Sequence, residues 1–425
     1  MRIFENPARS EWDALTRRQG VDYEGIRPRV EAILDAVENQ GDAALKRLMQ
    51  EIDGVDAPLE VTDSEIDAAC KRVPEAVREA ILAARKNIED FHRAQQPREV
   101  RVETAPGIVC IQRPVPIRRV GLYIPGGSAP LFSTVLMLAV PAALAACSER
   151  ILCTPCRKDG TVAPEVLYAA RECGVTRVFR IGGAQAVAAM AFGTESVPKV
   201  DKIFGPGNPY VTLAKQLVSG RNTAIDMPAG PSEVMVLADR STPAAFVAAD
   251  LLSQAEHGKD STAVLVCTER NYADKVLREL EYQKKTLSRN PQVKGALAHS
   301  YAVVFHDLQE VVDFAEAYAP EHLIIALKNA REVADKITAA GSVFIGPWSP
   351  ESAGDYASGT NHTLPTSGWA RSCSGVNLDS FMRKMTLQEL SFNGLASLAP
   401  TIVNMARAEG LDAHARAVTL RIAAL

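Results

Sequence analysis

Residues 120–130 read Val120-Gly-Leu-Tyr-Ile-Pro-Gly-Gly-Ser-Ala-Pro130. Five β-favouring and small residues run into a glycine pair, and an apolar helical stretch follows to about residue 146. A short apolar strand that turns on glycine into a helix is the repeating unit of a parallel sheet, because the helix carries the chain back to start the next strand in the same direction. The unit recurs at 150–153 with a helix at 164–172, and at 177–181 with Gly182-Gly183 and a helix. It recurs again at 200–204, with the turn Gly205-Pro-Gly-Asn-Pro209 and a helix to about 219. A second series begins at 233–238 and continues through a helix at 243–257 and strands at 262–267, 301–305, 323–327 and 342–345. The prediction is an α/β protein with parallel sheets.

The flanks follow other periods. Residues 1–100 show helical spacing, with Val30, Ile33, Leu34 and Val37 on one apolar face and Val77, Ile81, Ala84, Ile88 and Phe91 on another. His92, at the end of that second helix, is expected at the surface. From about residue 380 to 425 the pattern is again helical. Between these, residues 351–365 (Glu-Ser-Ala-Gly-Asp-Tyr-Ala-Ser-Gly-Thr-Asn-His-Thr-Leu-Pro) fit neither period and read as a loop. The loop concentrates Glu351, Asp355 and His362 among turn-forming residues. A solvated linker and a metal or acid–base site are both open for such a segment.

At 425 residues the chain is too long for one simple core, and two or more domains are expected. Its hydrophobic content of 47% and charged content of 23% are those of a globular protein. A net charge of −4 and the lack of a basic stripe exclude a nucleic-acid binder. The longest apolar run, 135–147, contains Pro141 and is too short to span a membrane. The first residues, Met1-Arg-Ile-Phe-Glu-Asn-Pro7, lack the apolar centre of a signal peptide, so a cytoplasmic location is expected. Most of the eight cysteines sit in apolar runs and read as small buried hydrophobes. Cys153-Thr-Pro-Cys156 has redox spacing, but no second such pair completes a four-cysteine zinc site.

Chemistry-bearing residues cluster elsewhere. Gln254 and His257 are three apart near a helix end that Gly258 terminates, so both side chains share one face and the partial negative charge there suits a cation. Pro320-Glu321-His322 sets an acid and an imidazole at the entrance to an apolar strand, where they can share proton transfer. Each also has a bland reading, a structural helical histidine and a polar surface turn. Of seven histidines, His299 and His306 have no motif, which leaves His257, His322, His362 and His414 as candidates. Imidazole, carboxylate and amide oxygen together suit zinc. No GxGxxG fingerprint follows any strand, although Gly126-Gly127 and Gly182-Gly183 can present backbone N–H groups to an anion.

Taken in order, Gly121-Leu-Tyr-Ile-Pro-Gly-Gly-Ser-Ala-Pro130, Ile181-Gly-Gly-Ala-Gln185, Phe204-Gly-Pro-Gly-Asn208, Pro228-Ala-Gly-Pro-Ser-Glu233, Gln254-Ala-Glu-His257, Pro320-Glu-His322, the 351–365 segment and Glu409…His414 resemble histidinol dehydrogenase over nearly the whole chain. The resemblance implies oxidation of L-histidinol through L-histidinal to L-histidine with two NAD⁺. It implies zinc held by Gln254, His257, Asp355 and His414, the last from the partner subunit of a homodimer. Glu321 is then the group that activates water, and His322 the proton acceptor. Ser232, His362 and Glu409 contact the substrate, with Glu351 nearby; Gln254, His257, His322, Asp355 and His414 complete its surroundings. Tyr123, Gln185 and Asn208 contact NAD⁺.

The resemblance also implies two Rossmann-like domains, one inserted in the other. Residues 1–21 form an N-terminal helical segment, and 22–124 with 234–375 the main α/β domain carrying the zinc. Residues 125–233 form the inserted domain, and 376–425 a helical dimerisation segment. The missing fingerprint fits an atypical NAD⁺ domain. Three rivals stay open: a relative acting on another small alcohol, a structural or regulatory zinc protein, and oxidation through a cysteine thiohemiacetal. An exposed acid–imidazole pair at 321–322 argues against the second, since a structural zinc needs no adjacent base.

Overall fold

The structure is a computed structural model that describes residues 1–18, 22–126, 130–228 and 230–424. Gly127, of the expected glycine pair, lies outside the described residues. Strand β1 (Arg2–Glu5) opens the chain. After a helical stretch, β2 (Val100–Ala105) and β3 (Ile108–Pro116) form an antiparallel hairpin. Strands β4 (Arg119–Tyr123), β5 (Glu149–Cys153), β6 (Arg177–Phe179), β7 (Lys202–Phe204) and β8 (Ala224–Ile225) alternate with helices. They build a five-stranded parallel sheet in the order β6-β5-β4-β7-β8. Strands β9 (Glu233–Ala238), β10 (Thr262–Cys267), β11 (Tyr301–Val304), β12 (His322–Ala326) and β13 (Ser342–Ile345) follow, again with helices between. With β1 they make a six-stranded parallel sheet, β1-β11-β10-β9-β12-β13. The last strand, β14 (Met382–Leu390), pairs antiparallel with β3.

The fold is therefore the expected α/β class, with one parallel sheet formed inside the sequence span of the other. Both sheets are covered on two faces, and β9 and β12 are buried at every position. That explains why they read as continuous apolar runs rather than alternating ones.

Four expectations change. The N-terminal segment is not only helical, because Ile3 and Phe4 pair with Ala302 and Val303 and extend the larger sheet. The C-terminal segment is not helical from residue 380, because Met382–Leu390 finds a strand partner in β3 before the helices Phe392–Ala408 and Asp412–Ile422 begin. Residues 351–356 are a short helix, Glu351–Tyr356. Gly354 is needed there by close approach, since a Cβ would come within 2.7 Å of the Phe344 ring. Finally, the helices Tyr23–Leu48, Asp63–Cys70 and Glu75–Arg93 pack on the five-stranded sheet's helices, not with the larger sheet as expected for 22–124. Strand β4 likewise pairs within the smaller sheet, so the expected break after residue 124 falls between it and its own helix.

A smaller inversion has a clear cause. In the helix Glu75–Arg93 the buried stripe is Ile81, Ala84, Ile88 and His92, at steps of three and four. Phe91, one position off that stripe, is 47% exposed, whereas His92 is fully buried. His92 is satisfied at Nδ1 by the Ile88 carbonyl, 2.8 Å away.

Candidate active site

A cavity of about 360 Å³ opens where the carboxyl-side turns of the smaller sheet meet the strand entrances of the larger one. Its wall includes Ser133, Thr134, Asn208, Ser232, His257, Glu321, His322, Asp355 and His362. Residues far apart in the chain arrive there on different elements. His322 is the first residue of β12, and Glu321 precedes it. Gln254 ends the helix Ala244–Ala255, and His257 stands just beyond, in the turn. Asp355 and Glu351 project from the short helix after β13, on its buried side.

Glu321 and His322 are both buried, which corrects the expectation of an exposed pair. The Glu233 N–H donates to Glu321 Oε2 at 2.8 Å, and the Glu233 carbonyl lies 3.3 Å from His322 Nδ1. A carbonyl can only accept, so Nδ1 carries hydrogen and Nε2 is the nitrogen left for chemistry. Nε2 is buried without a hydrogen-bond partner and lies 3.6 Å from Asp355 Oδ1. Glu351 Oε1 stands 3.8 Å from His322 Nδ1. His257 is 42% exposed at the side chain, with Nε2 3.7 Å from Asp355 Oδ2. His362 is fixed at both nitrogens, by the Asp355 carbonyl at 2.8 Å and Thr134 Oγ1 at 3.1 Å.

Charge follows from this crowding. Burial pushes the Glu351 carboxyl up to about 8 and raises Glu321 as well. Burial also opposes charge on His322, but Glu351, Glu321 and Asp355 outweigh it and hold the imidazolium well above its ordinary range. Asp355 moves the other way: against burial, His322 and the neighbouring imidazoles keep it ionised. Burial lowers His362. Three carboxyls in one protein-walled space call for a positive charge, and a cation bound beside them would supply it while leaving His322 Nε2 free to accept a proton.

A metal ion fits the same residues. One ligand atom each from His257, Glu351 and Asp355 lie within 4.8 Å of one another. Beside them Gln254 is fully buried with both side-chain amide atoms unpartnered, and both Glu351 oxygens lack hydrogen bonds. Buried polar atoms left unpaired are costly unless something absent from the chain pairs them.

The remaining expected residues divide. Asn208 reaches the cavity and also caps a helix, accepting from Val211 N at 3.1 Å. Tyr123 and Gln185 are buried outside the cavity wall; the Tyr123 hydroxyl accepts from Gly183 N at 3.1 Å under the neighbouring glycine turn. Glu409 and His414 lie on the exposed C-terminal helical pair and do not join the cavity within this chain. The cysteines are also elsewhere, and burial raises the thiols of Cys147 and Cys153, which opposes thiolate chemistry.

The sequence model of the histidinol dehydrogenase family matches residues 16–422. This chain belongs to the histidinol dehydrogenase family. Histidinol dehydrogenase from Bacteroides fragilis (strain YCH46) is 52% identical over 423 residues, covering 99% of both chains. The Aliivibrio fischeri enzyme of the same name is 51% identical over 424 residues, covering 99% of this chain and 96% of its own. The crystal structure of histidinol dehydrogenase from Elizabethkingia anophelis superposes with a TM-score of 0.96 at 46% identity, over 99% of this chain and 98% of that one. As a histidinol dehydrogenase family member the chain is an NAD-dependent dehydrogenase. Among the described residues no helix is long and apolar enough to cross a membrane.

Two residues the sequence analysis passed over matter to this site. Thr134 orients His362. Glu233 holds Glu321 through its backbone N–H and His322 through its backbone carbonyl. A charged residue at the start of an otherwise apolar strand was the available signal for Glu233.

Proposed function

We propose that the protein oxidises L-histidinol to L-histidine in the cytoplasm, through L-histidinal, in two hydride transfers. The observation that carries this is the buried Glu321–His322 pair beside an unpaired amide and a three-residue cluster suited to a metal. When bound, zinc would hold the substrate's imidazole and amino nitrogens, and NAD⁺ would take up the hydride. Gln254, His257 and Asp355 are the ligands this chain offers, with Glu351 beside them.

His322 Nε2 takes the alcohol proton as hydride leaves the carbinol carbon, giving the aldehyde. Glu321 then draws a proton from water as the water oxygen adds to the aldehyde carbon, and the proton held on His322 passes to the former carbonyl oxygen, which gives the hydrate and frees His322. His322 takes a hydroxyl proton as the second hydride leaves, and the carboxylic acid formed loses its remaining proton to water to leave the carboxylate. Ser232 and His362 face the same cavity and are the substrate contacts on this side. Asn208, in the cavity wall, and Tyr123 and Gln185 are the NAD⁺ contacts in this reading; the Tyr123 hydroxyl also accepts from Gly183 N.

Glu409 and His414 complete the site from a second subunit in this reading. Support comes from the C-terminal helices, which pack chiefly on each other and leave Met405 and Leu420 about 60% exposed. The test counts NADH formed per histidinol consumed, with and without a chelator. Two per substrate, lost on chelation and regained with zinc, is expected; one per substrate, or indifference to chelation, refutes the proposal.

A further inference from the structure

The backbone of Glu233 serves both reacting side chains, its N–H donating to Glu321 and its carbonyl, in the next peptide group, accepting from His322. What holds residue 233 is therefore part of how the site works. Residue 233 is the first of β9, in register with Thr262 at the start of β10. Its side chain is anchored from the far N-terminus. Arg18 Nε and Nη2 bond the two Glu233 carboxylate oxygens, each at 2.8 Å. The guanidinium is itself fixed by the Thr16 carbonyl at 2.8 Å and stacks on Tyr318, 3.4 Å from the ring centre. Ser367 N adds a 3.1 Å bond to Glu233 Oε1. The Glu233 side chain is 2% exposed and that of Arg18 16%.

A two-pronged guanidinium–carboxylate pair is the side-chain contact most sensitive to direction. We propose that Arg18 is a positioning residue for the reaction: by clamping Glu233 it sets the backbone N–H and carbonyl of that residue, which orient Glu321 and His322. Arg18 is absent from the cavity wall; besides Glu233 its Nη2 reaches the Ala319 carbonyl at 3.4 Å, two residues before Glu321. The inference rests on the proposed roles of Glu321 and His322. It goes beyond them by assigning a duty to the strand and helix at the chain's N-terminus, which bring Arg18 to the site.

The test compares Arg18→Met, Arg18→Lys and the double variant Arg18→Met/Glu233→Gln in the full-length protein. Arg18→Met is expected to lower kcat about 10–100-fold, the scale of a small misplacement of reacting groups. KM for histidinol should change less than about threefold, and the deuterium isotope effect on kcat from substrate labelled at the carbinol carbon should rise, because hydride transfer becomes limiting. Arg18→Lys, a single-point donor, should recover only part of kcat. The double variant no longer buries an unpaired charge, so its melting temperature should return toward wild type while kcat stays low. A folded Arg18→Met protein with kcat within twofold of wild type overturns the proposal. So does a double variant in which kcat returns together with the melting temperature. If wild type itself forms no NADH from histidinol, it is the functional reading that fails. The crystal structure of Arg18→Met then still decides the clamp, which requires the Glu233–Glu321 bond to open.

Discussion

The cavity and the C-terminal arm are opposites. In the cavity, polar atoms are buried and short of partners: Gln254, Glu351 and His322 Nε2 all lack hydrogen bonds. In the arm, backbone groups are satisfied by helices, but Phe392, Met405, Leu411 and Leu420 lie open to solvent. Unpaired buried polar groups call for a small charged or polar ligand. Uncovered apolar side chains call for a protein surface. In the proposed reading the contrast separates two needs of one site, a cation and substrate inside, a second chain outside.

The largest test of the inside removes the metal. Dialysis against a chelator should abolish NADH formation and lower the melting temperature, by an amount matching about 3–4 kcal/mol if the metal was held at 100 to 1,000 times its Kd. Zinc should restore both; a chelated protein of full activity would break the contrast at its centre. Next, His322→Asn should cut kcat by about 10²–10⁴ for both oxidations, the usual worth of a positioned general base. Glu321→Gln should spare the first hydride transfer and slow the second, so that NADH per histidinol falls toward one and aldehyde can be trapped. Equal loss in both steps would deny Glu321 its separate role.

The outside is tested by mixing. His257→Ala and His414→Ala proteins should each be inactive. If His414 serves the partner's cavity, a hybrid dimer has one intact site, and reassociated mixtures should recover about a quarter of wild-type activity. No recovery, with hybrid dimers shown by mass spectrometry, would place His414 outside the site.

The smallest effect concerns Asp250, on the helix that carries Gln254. Burial pushes its carboxyl up to about 7. The unfolded chain gives up that proton near pH 4, so stability should be greatest below about pH 4 and fall as pH rises toward 7. In metal-free protein, Asp250→Asn should be more stable than wild type by about 1–2 kcal/mol at pH 8 and little different at pH 4. Denaturant titrations at the two pH values measure it; an equal gain at both would show that the carboxyl's charge is not the cause.

The sequence was most legible where local chemistry and tertiary need coincide. Gly182-Gly183 opens a helix after a strand as expected, with Gly182 as its N-cap. His257, three residues after Gln254 at a helix end, lies 3.7 Å from Asp355. It misled where a partner distant in sequence decides the outcome. Met382–Leu390 has helix-compatible residues and becomes a strand only because β3 lies open beside it. Glu351–Tyr356 has no helical signal of its own; it is set by burial of Glu351, Gly354 and Asp355. His92 is internal because the stripe of Ile81, Ala84 and Ile88 needs a fourth member and the Ile88 carbonyl can bond it.

By itself the sequence determined the α/β class, the residue types able to bind a cation, and the acid–imidazole pair, since these depend on short-range pattern and side-chain chemistry. Tertiary structure alone decided that Glu321 and His322 are buried, that the backbone of one residue, Glu233, bonds both, and that Arg18 reaches across 215 positions to clamp its side chain. Burial and direction are properties of what surrounds a residue, and for Glu233 the surroundings include Arg18 from the far N-terminal part of the chain.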